Sequence, residues 1–243
     1  GMAFHVSQDS GQSNLFDLFD EEDKPAPYVD VRAWTSKQRL KGEKETLGFY
    51  WSGHPALIYQ KELGALVQPI AGLNASLVQK VRICALVRGL RRIMTKRGKQ
   101  LLILTLEDGS EVIDAVAFSE VVDAAETPPA VGEIIVLDAE VGEDKFTGGV
   151  RLTVMALSTM SEARARFSKY LLLNLTPDDL EQFEPLRALL TQYPGRCAVQ
   201  VKYKNGPIEQ IHPLPSTFAV LPEDNLLDAL TALLKPEDVR VCY

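Results

Sequence analysis

The stretch from Gln79 to Phe118 constrains this chain most strongly, because it holds three β-rich runs joined by two short turns. The turns lie at residues 96–99 and 107–110. Asp-Gly between two β-rich runs, as at Asp108 and Gly109, is a strong hairpin signal, since glycine adopts a positive φ at little cost. We therefore expect a meander of three strands here.

This meander is basic, although the whole chain has a formal net charge of −7. No acidic residue occurs from Gly64 through Leu106. The same window contains Lys80, Arg82, Arg88, Arg91, Arg92, Lys96, Arg97 and Lys99. A basic block on an acidic body is typical of a nucleic-acid-binding surface. The alternative is a solvated strand face whose cations protect a sheet edge.

Size and composition favour a globular protein of two domains with a tail, since the chain has 243 residues, of which 46% are hydrophobic and 24% charged. The negative net charge excludes a generally basic, histone-like binder. The three cysteines are far apart, show no metal-ligand spacing and are odd in number, which indicates a reducing intracellular compartment. The sequence shows no apolar run of membrane-spanning length and no signal peptide.

The chain begins with a polar, acidic segment, residues 1–27, which we expect to be a disordered tail. Its apolar residues Leu15 and Phe16 have no core to join, so they are typical of a short linear motif that docks into a partner. Residues 28–76 are predicted to form a short helical segment, with a start at Thr35-Ser36 and a restart at Pro55. This segment needs a neighbour to pack against, which can lie outside this chain.

Residues 77–160 contain five β-rich runs, with a short helical link at 118–126 between the third and the fourth. This order matches the OB fold, a five-stranded Greek-key barrel. In that fold the first and last hairpin loops grip single-stranded nucleic acid. Here they are Arg91 to Lys99 and Glu143 to Arg151, and the second offers Lys145, Phe146 and Arg151 for stacking a base. Phe146 can equally be a hydrophobic plug of the barrel mouth.

Residues 161–243 alternate as β-α-β-β-α-β, the plan of a small split βαβ module, so the predicted fold class is α+β. The acidic pairs at 178–179 and 223–224 stand at helix starts, where they interact with the helix dipole. This explanation is preferred to a catalytic role. The leucine-rich helix at 222–234 offers apolar area either to the core or to a partner protein.

The sequence contains none of the motifs that carry common enzyme chemistry. It has no phosphate-binding Walker loop, no Gly-x-Ser-x-Gly, no His-Glu-x-x-His and no Cys/His ligand set. We therefore expect no catalytic residue, no metal and no cofactor in this chain.

Several stretches, in order, resemble the alpha subunit of bacterial DNA polymerase III. The run 42–55, which reads GEKETLGFYWSGHP, resembles the Glu-x-Glu-x-Leu-Gly-x-Tyr-x-x-Gly-His-Pro stretch of that family. Residues 94–99 resemble its first OB loop, and 146–149 the turn before its last barrel strand. Residues 12–16 resemble its internal sliding-clamp motif, and 220–241 its C-terminal module.

The resemblance implies that this chain is the non-catalytic C-terminal part of a bacterial, cytoplasmic replicative polymerase, whose catalytic aspartates lie upstream. Gln12, Leu15 and Phe16 would then enter the pocket of the sliding clamp. The OB domain would hold single-stranded template DNA, and residues from about 165 to 243 would bind the tau subunit of the clamp loader. The predicted DNA-binding residues are Arg91, Arg92, Lys96, Arg97, Lys99, Lys145, Phe146 and Arg151. The alternative is a free-standing OB-fold accessory protein that binds DNA or RNA.

Overall fold

A five-stranded barrel forms the centre of the protein, as the sequence predicts. The computed structural model describes residues 34–94, 98, 100–144 and 148–243. The barrel strands are β1 (Gln79–Met94), β2 (Gln100–Glu107), β3 (Val112–Phe118), β4 (Ile134–Glu143) and β5 (Val150–Thr159). They close in the order β1-β2-β3-β5-β4, in which only the β3–β5 pair is parallel. This is the five-stranded closed OB barrel.

Strand β1 has 16 residues and pairs with two neighbouring strands of the barrel. A bulge between Val87 and Gly89 bends it from one neighbour towards the other. Its first half pairs with β4 and its second half with β2. Alternate residues point inward and fill the barrel, among them Ile83 on β1 and Leu104 on β2, both fully buried. Small residues such as Ala115 leave room for these larger side chains.

The turn between β2 and β3 also holds the helical segment, through hydrogen bonds to the buried Asp108. Asp108 is fully buried, and its carboxylate accepts hydrogen bonds from Ser110, from the Gln60 amide and from the backbone N–H of Ile70. Burial acts to raise the pKa of Asp108, but the hydrogen bonds from Ser110 and Ile70 outweigh it and lower the pKa. Gly109 has a φ of +87°, as the hairpin prediction requires.

The helical segment packs against the barrel of the same chain. It contains α1 (Ser36–Leu47) and α2 (Pro55–Leu63), followed by two 3-10 turns at Gly64–Leu66 and Ile70–Gly72. Thr35 and Gln38 form a capping box at the start of α1. Leu63 at the end of α2 is buried with Cys84, Val136 and Met160. The neighbour that this segment needs therefore lies within the chain.

Two short helices connect the barrel to the last part of the protein. Helix α3 (Ser119–Asp123) lies between β3 and β4, where a helical link was predicted. Helix α4 (Met160–Phe167) follows β5 and begins with a capping box formed by Thr159 and Glu162. No helix in the described ranges combines the length and the apolar character needed to cross a membrane.

The C-terminal module is a four-stranded sheet with two helices on one face, in the predicted βαββαβ order. Its elements are β6 (Tyr170–Leu175), α5 (Phe183–Gln192), β7 (Pro194–Asn205), β8 (Ile208–Pro213), α6 (Asp224–Leu233) and β9 (Val239–Cys242). The strand order is β8-β7-β6-β9. A 3-10 helix at Pro177–Gln182 precedes α5, so Pro185 lies inside α5 and does not break it. Between β8 and α6 the chain forms a 3-10 turn at Ser216–Phe218.

Arg164 joins the helical segment, α4 and the C-terminal module. Its guanidinium is 1% exposed and lies 2.7 Å from carboxylate oxygens of both Glu62 on α2 and Asp224 on α6. Tyr243 donates to Glu62, and Tyr59 donates to Asp224. Burial acts to raise the pKa of Asp224, but Arg164 and Lys37 lower it overall. Residues from Thr35 to Tyr243 accordingly form one compact unit.

Candidate nucleic-acid interface

The outer face of β1, β2 and β3 is the surface on which an OB barrel holds nucleic acid. The strand register defines three rows: Ile93, Leu101 and Phe118; Arg91, Ile103 and Val116; Gly89, Thr105 and Asp114. The first row adjoins the β1–β2 loop, and the third lies towards the β2–β3 turn. The face is therefore apolar near the first loop and polar at its other end.

Acidic residues from neighbouring strands compensate several cations of the basic block. Arg91 is 2.9 Å from Asp114, Arg88 is 3.4 Å from Glu107 and Arg82 is 2.7 Å from Asp138. These acids lie outside the acid-free window of the sequence, and strand pairing brings them next to it. The excess of positive charge expected from the sequence is therefore smaller on the folded barrel than along the chain.

Arg91 and Arg92 lie on the strand and not in the first loop, because β1 continues to Met94. Successive residues of a strand point to opposite sides, so the two side chains do not share a face. Arg91 lies on the outer face beside Asp114, which also accepts a hydrogen bond from Thr105 at 2.7 Å. Arg92 lines a small recess with Ser119 and Asp123. Of these two arginines, only Arg91 joins the predicted face.

Arg151 likewise lies in a strand, β5, and not in the second loop. It is exposed and precedes the buried Leu152, which pairs with Ala115 of β3. Arg151 therefore projects outward beside Asp114 at the edge of the same face. Within the described ranges, neither Arg151 nor Arg92 forms an ion pair with an acidic side chain.

The remaining predicted contacts lie outside the described residues. They are Lys96, Arg97 and Lys99 in the first loop and Lys145 and Phe146 in the second. The clamp residues Gln12, Leu15 and Phe16 are also outside the described ranges. These residues stay predictions from the sequence.

The face contains apolar residues that the sequence analysis did not identify as binding residues. Phe118 on β3 is 40% exposed, and its register partner Leu101 lies between it and Ile93, which is also exposed. A solvent-facing aromatic ring on this face can stack on a base. The sequence does contain a signal that Phe118 faces outward, because side chains alternate along β3 and Ala115 and Ala117 point inward.

The leucine-rich helix of the C-terminal module is mainly a core element. Leu226 and Leu230 of α6 are fully buried against the sheet, so this helix does not offer its main apolar stripe to a partner. The exposed apolar residues of this module lie elsewhere. Leu180 is exposed in the 3-10 helix before α5 and Phe183 at the start of α5. Ile208 and Ile211 are exposed on the edge strand β8.

The acidic pairs at the helix starts have structural partners. Asp179 accepts hydrogen bonds from the backbone N–H and the hydroxyl of Thr176, and Asp224 is bound by Arg164. Within the described part of the chain, no three His, Cys, Asp or Glu side chains are grouped so that they could hold a metal ion.

Comparison with known proteins identifies relatives for the barrel and for the chain. A family model described as an OB-fold nucleic acid binding domain matches residues 81–159. The DNA polymerase III alpha subunits of Pseudomonas fluorescens and Pseudomonas aeruginosa are each 32% identical, in alignments of 243 positions that cover 98% of this chain. The alpha subunit of Escherichia coli is 27% identical over 95% of the chain.

The chain spans about one fifth of the length of these relatives, since the alignments cover 21% of each. Among solved structures, the second OB-fold domain of replication protein A from Methanococcus maripaludis aligns with 37% of this chain and 90% of its own. Its identity is 22% and its TM-score 0.30.

Proposed function

The chain is homologous to the C-terminal region of the bacterial DNA polymerase III alpha subunit, and we propose that it is the non-catalytic part of such a polymerase that binds single-stranded template DNA. We further propose that it tethers the enzyme to the sliding clamp and to the tau subunit of the clamp loader in the bacterial cytoplasm. In this assignment the polymerase active site belongs to the upstream part of the subunit.

The observation that carries the DNA-binding proposal is the outer face of the closed barrel. Phe118 and Ile93 expose apolar area at one end, and Arg91 and Arg151 bring cations to the middle and the edge. Stacking on an exposed ring together with phosphate contacts is the usual way to bind a single strand without reading its sequence. The Arg91–Asp114 ion pair is largely exposed, so a phosphate can compete for Arg91.

The salt dependence of DNA binding tests the lysine and arginine residues of the first loop. If the barrel neutralises about four phosphates, the logarithm of the binding constant falls with the logarithm of salt concentration at a slope of about −3. Changing Lys96, Arg97 and Lys99 together to alanine removes three contacts, so we expect weaker binding and a slope of about −1. Fluorescence anisotropy with a labelled oligo-dT at several salt concentrations measures both quantities.

A control of equal charge change separates local contacts from the net charge of the chain. Arg187→Ala, Lys204→Ala and Arg240→Ala together remove the same three charges from exposed positions of the C-terminal module. We expect this variant to retain the wild-type slope. An unchanged affinity and slope in the Lys96, Arg97 and Lys99 variant would remove the first loop from the DNA interface.

For the tau contact, the C-terminal module has a suitable charge and an exposed apolar surface. From Pro207 to Tyr243 the basic residues are only Lys235 and Arg240, against six acidic residues, a balance that disfavours phosphate. Leu180 in the 3-10 helix before α5 is 67% exposed, and Phe183, the first residue of α5, is 55% exposed three residues later. We propose that these two side chains form the centre of the tau contact.

Changing Leu180 and Phe183 together to alanine should weaken capture of the tau subunit at least about tenfold, because it removes two apolar anchors. DNA binding should not change. The matched control is Ile208→Ala with Ile211→Ala on β8, which removes exposed apolar area of similar size from the same module. Surface plasmon resonance with immobilised tau gives the affinities. Unchanged affinity in both variants would overturn the assignment of tau to this module.

Point variants are preferable to truncation in this test. Removing the chain after about residue 165 would delete Asp224 and Tyr243, both of which belong to the buried network around Arg164 and Glu62. The truncated chain would lose stability as well as its binding surface, so loss of tau binding would have two explanations.

A further inference from the structure

The end of α1 and the loop that leads to α2 expose three large apolar side chains that have no role in the core. Leu47 is 53%, Phe49 52% and Trp51 79% exposed. The rings of Phe49 and Trp51 lie 6.4 Å apart between centroids and are tilted by 57°. Large apolar side chains that are exposed together in one loop are typical of a binding surface, whereas single exposed apolar residues are not. We call residues 47–52 the aromatic loop.

The backbone of the aromatic loop is fixed by side chains of α1. The carboxylate of Glu43 accepts hydrogen bonds from the backbone N–H groups of Trp51, at 2.7 Å, and Ser52, at 2.9 Å. The hydrogen bond from Ser52 is the main cause that lowers the pKa of Glu43. Lys44 donates to the carbonyl of Gly48, which ends α1 with a φ of +81°. The rings are therefore presented from an ordered backbone, which reduces the entropy lost on binding.

The aromatic loop lies next to the polar end of the barrel face. His54 follows Trp51 by three residues, a contour of roughly 10 Å at most. Its Nε2 is 3.5 Å from the carboxylate of Glu107, the last residue of β2, and Arg88 of β1 lies 3.4 Å from the same carboxylate. His54 Nδ1 accepts a hydrogen bond from the backbone N–H of Ala56, which fixes the ring with Nε2 on the side of Glu107. The chain of contacts His54–Glu107–Arg88 thus connects the aromatic loop to the strands of the outer face.

The charges around the aromatic loop favour a polyanion. Residues 35–64 contain five lysine and arginine residues against three glutamates, in a chain whose net charge is −7. One of these glutamates, Glu43, is occupied by backbone N–H groups. Arg39 and Lys41 are exposed cations on α1, the helix before the rings. Arg88 on β1 is half exposed and shares Glu107 with His54. Exposed aromatic rings beside cations suit stacked bases with a phosphate backbone.

We propose that the aromatic loop is a second stacking site for the single strand held by the barrel, with bases lying on Trp51 and Phe49 after the strand passes Arg88. This inference rests on the proposed DNA-binding function and extends it beyond the barrel. A single-stranded nucleic acid that follows the outer face from the β1–β2 loop towards the β2–β3 turn leaves the barrel beside the aromatic loop. The nucleic-acid site of the chain is then longer than that of the barrel alone.

A length series of oligo-dT tests the proposal. An oligonucleotide of about 6 nucleotides occupies the barrel, and one of about 16 also reaches the aromatic loop, given usual OB site sizes. We expect Trp51→Ala to leave the affinity for the short oligonucleotide unchanged and to weaken binding of the long one about tenfold, the loss of one stacked base. Phe49→Ala should have a similar but smaller effect. Phe183→Ala, an exposed aromatic position on the C-terminal module, is the control and should change neither affinity.

Fluorescence of Trp51 gives an independent readout, with Trp34→Phe as background so that Trp51 is the only tryptophan. The long oligonucleotide should quench it and the short one should not. If the short oligonucleotide binds but Trp51→Ala leaves the length dependence unchanged, the proposal is wrong, DNA binding by the barrel stands, and a protein is the better candidate for the aromatic loop. If neither oligonucleotide binds, the DNA-binding function and this extension are both overturned.

Discussion

Replacing Arg164 by alanine is expected to lower the free energy of unfolding by about 3–5 kcal/mol, one of the two largest effects we predict for this protein. The wild-type guanidinium is almost fully buried and forms a bidentate pair with Glu62 and a further ion pair with Asp224. Without it, the partly buried carboxylates of Glu62 and Asp224 lose the guanidinium that pairs with both, and Asp224 keeps only its contact with Lys37, at 2.8 Å. Their repulsion and desolvation, and not only the lost hydrogen bonds, account for the size of the effect.

Urea denaturation followed by circular dichroism measures this loss. Arg187→Ala on α5 is the control, because Arg187 is exposed and its contact with Glu184 is long, at 3.9 Å. We expect the control to stay within about 0.5 kcal/mol of wild type. A variant that combines Arg164→Met with Glu62→Gln and Asp224→Asn should recover much of the stability, since it leaves no unpaired charge. A loss below about 1 kcal/mol in Arg164→Ala would show that the network does not hold these elements together.

The same network predicts how stability depends on pH. The folded-state pKa of Asp224 is lowered, so its contribution is present above the unfolded value of about 3.9 and is lost as pH falls through the folded value. Wild-type protein should therefore lose stability on acidification below about pH 4. In Arg164→Ala this acid-dependent loss should be smaller, because the main cation that lowers the pKa is gone.

Changing Leu15 and Phe16 together to alanine is expected to weaken binding to the sliding clamp at least about 100-fold. Burying an aliphatic and an aromatic side chain in a pocket stabilises a complex by roughly 1.5–3 kcal/mol each. Fixing a peptide of this length costs roughly 1–2 kcal/mol per residue, so the net contact is weak and depends on both anchors. A weak, local contact suits a polymerase that must release its clamp and bind again.

Isothermal titration calorimetry of the chain against the sliding clamp of its own source measures the contact. The control is Leu18→Ala with Phe19→Ala, the second apolar pair of the tail, which has no glutamine at the matching distance before it. Gln12→Ala should lose about 1 kcal/mol, the worth of a hydrogen bond at the pocket rim. Equal affinities for wild type and the Leu15, Phe16 variant would contradict the assignment of this segment as the clamp-binding peptide.

Local sequence patterns were sufficient for the order of the elements. Inward residues on β1 and β2 recur with the strand period of two, and Gly109 marks the turn between β2 and β3, so the barrel could be predicted without knowing any long-range contact. The same holds for the C-terminal module, where Thr176 and Pro177 mark the start of a helical stretch after β6. These signals lie within a few residues of the structure they specify.

The environment of each charge depended on the tertiary structure. Arg91 and Asp114 lie 23 residues apart, and Arg164 and Glu62 lie 102 apart, so no local pattern indicates that they form ion pairs. Arg164 has the same sequence appearance as the exposed Arg166 two residues later, yet only Arg164 faces the carboxylates of α2 and α6. A strand or helix period says which side of an element a residue takes. Only the packing of elements from distant parts of the chain decides what that side meets.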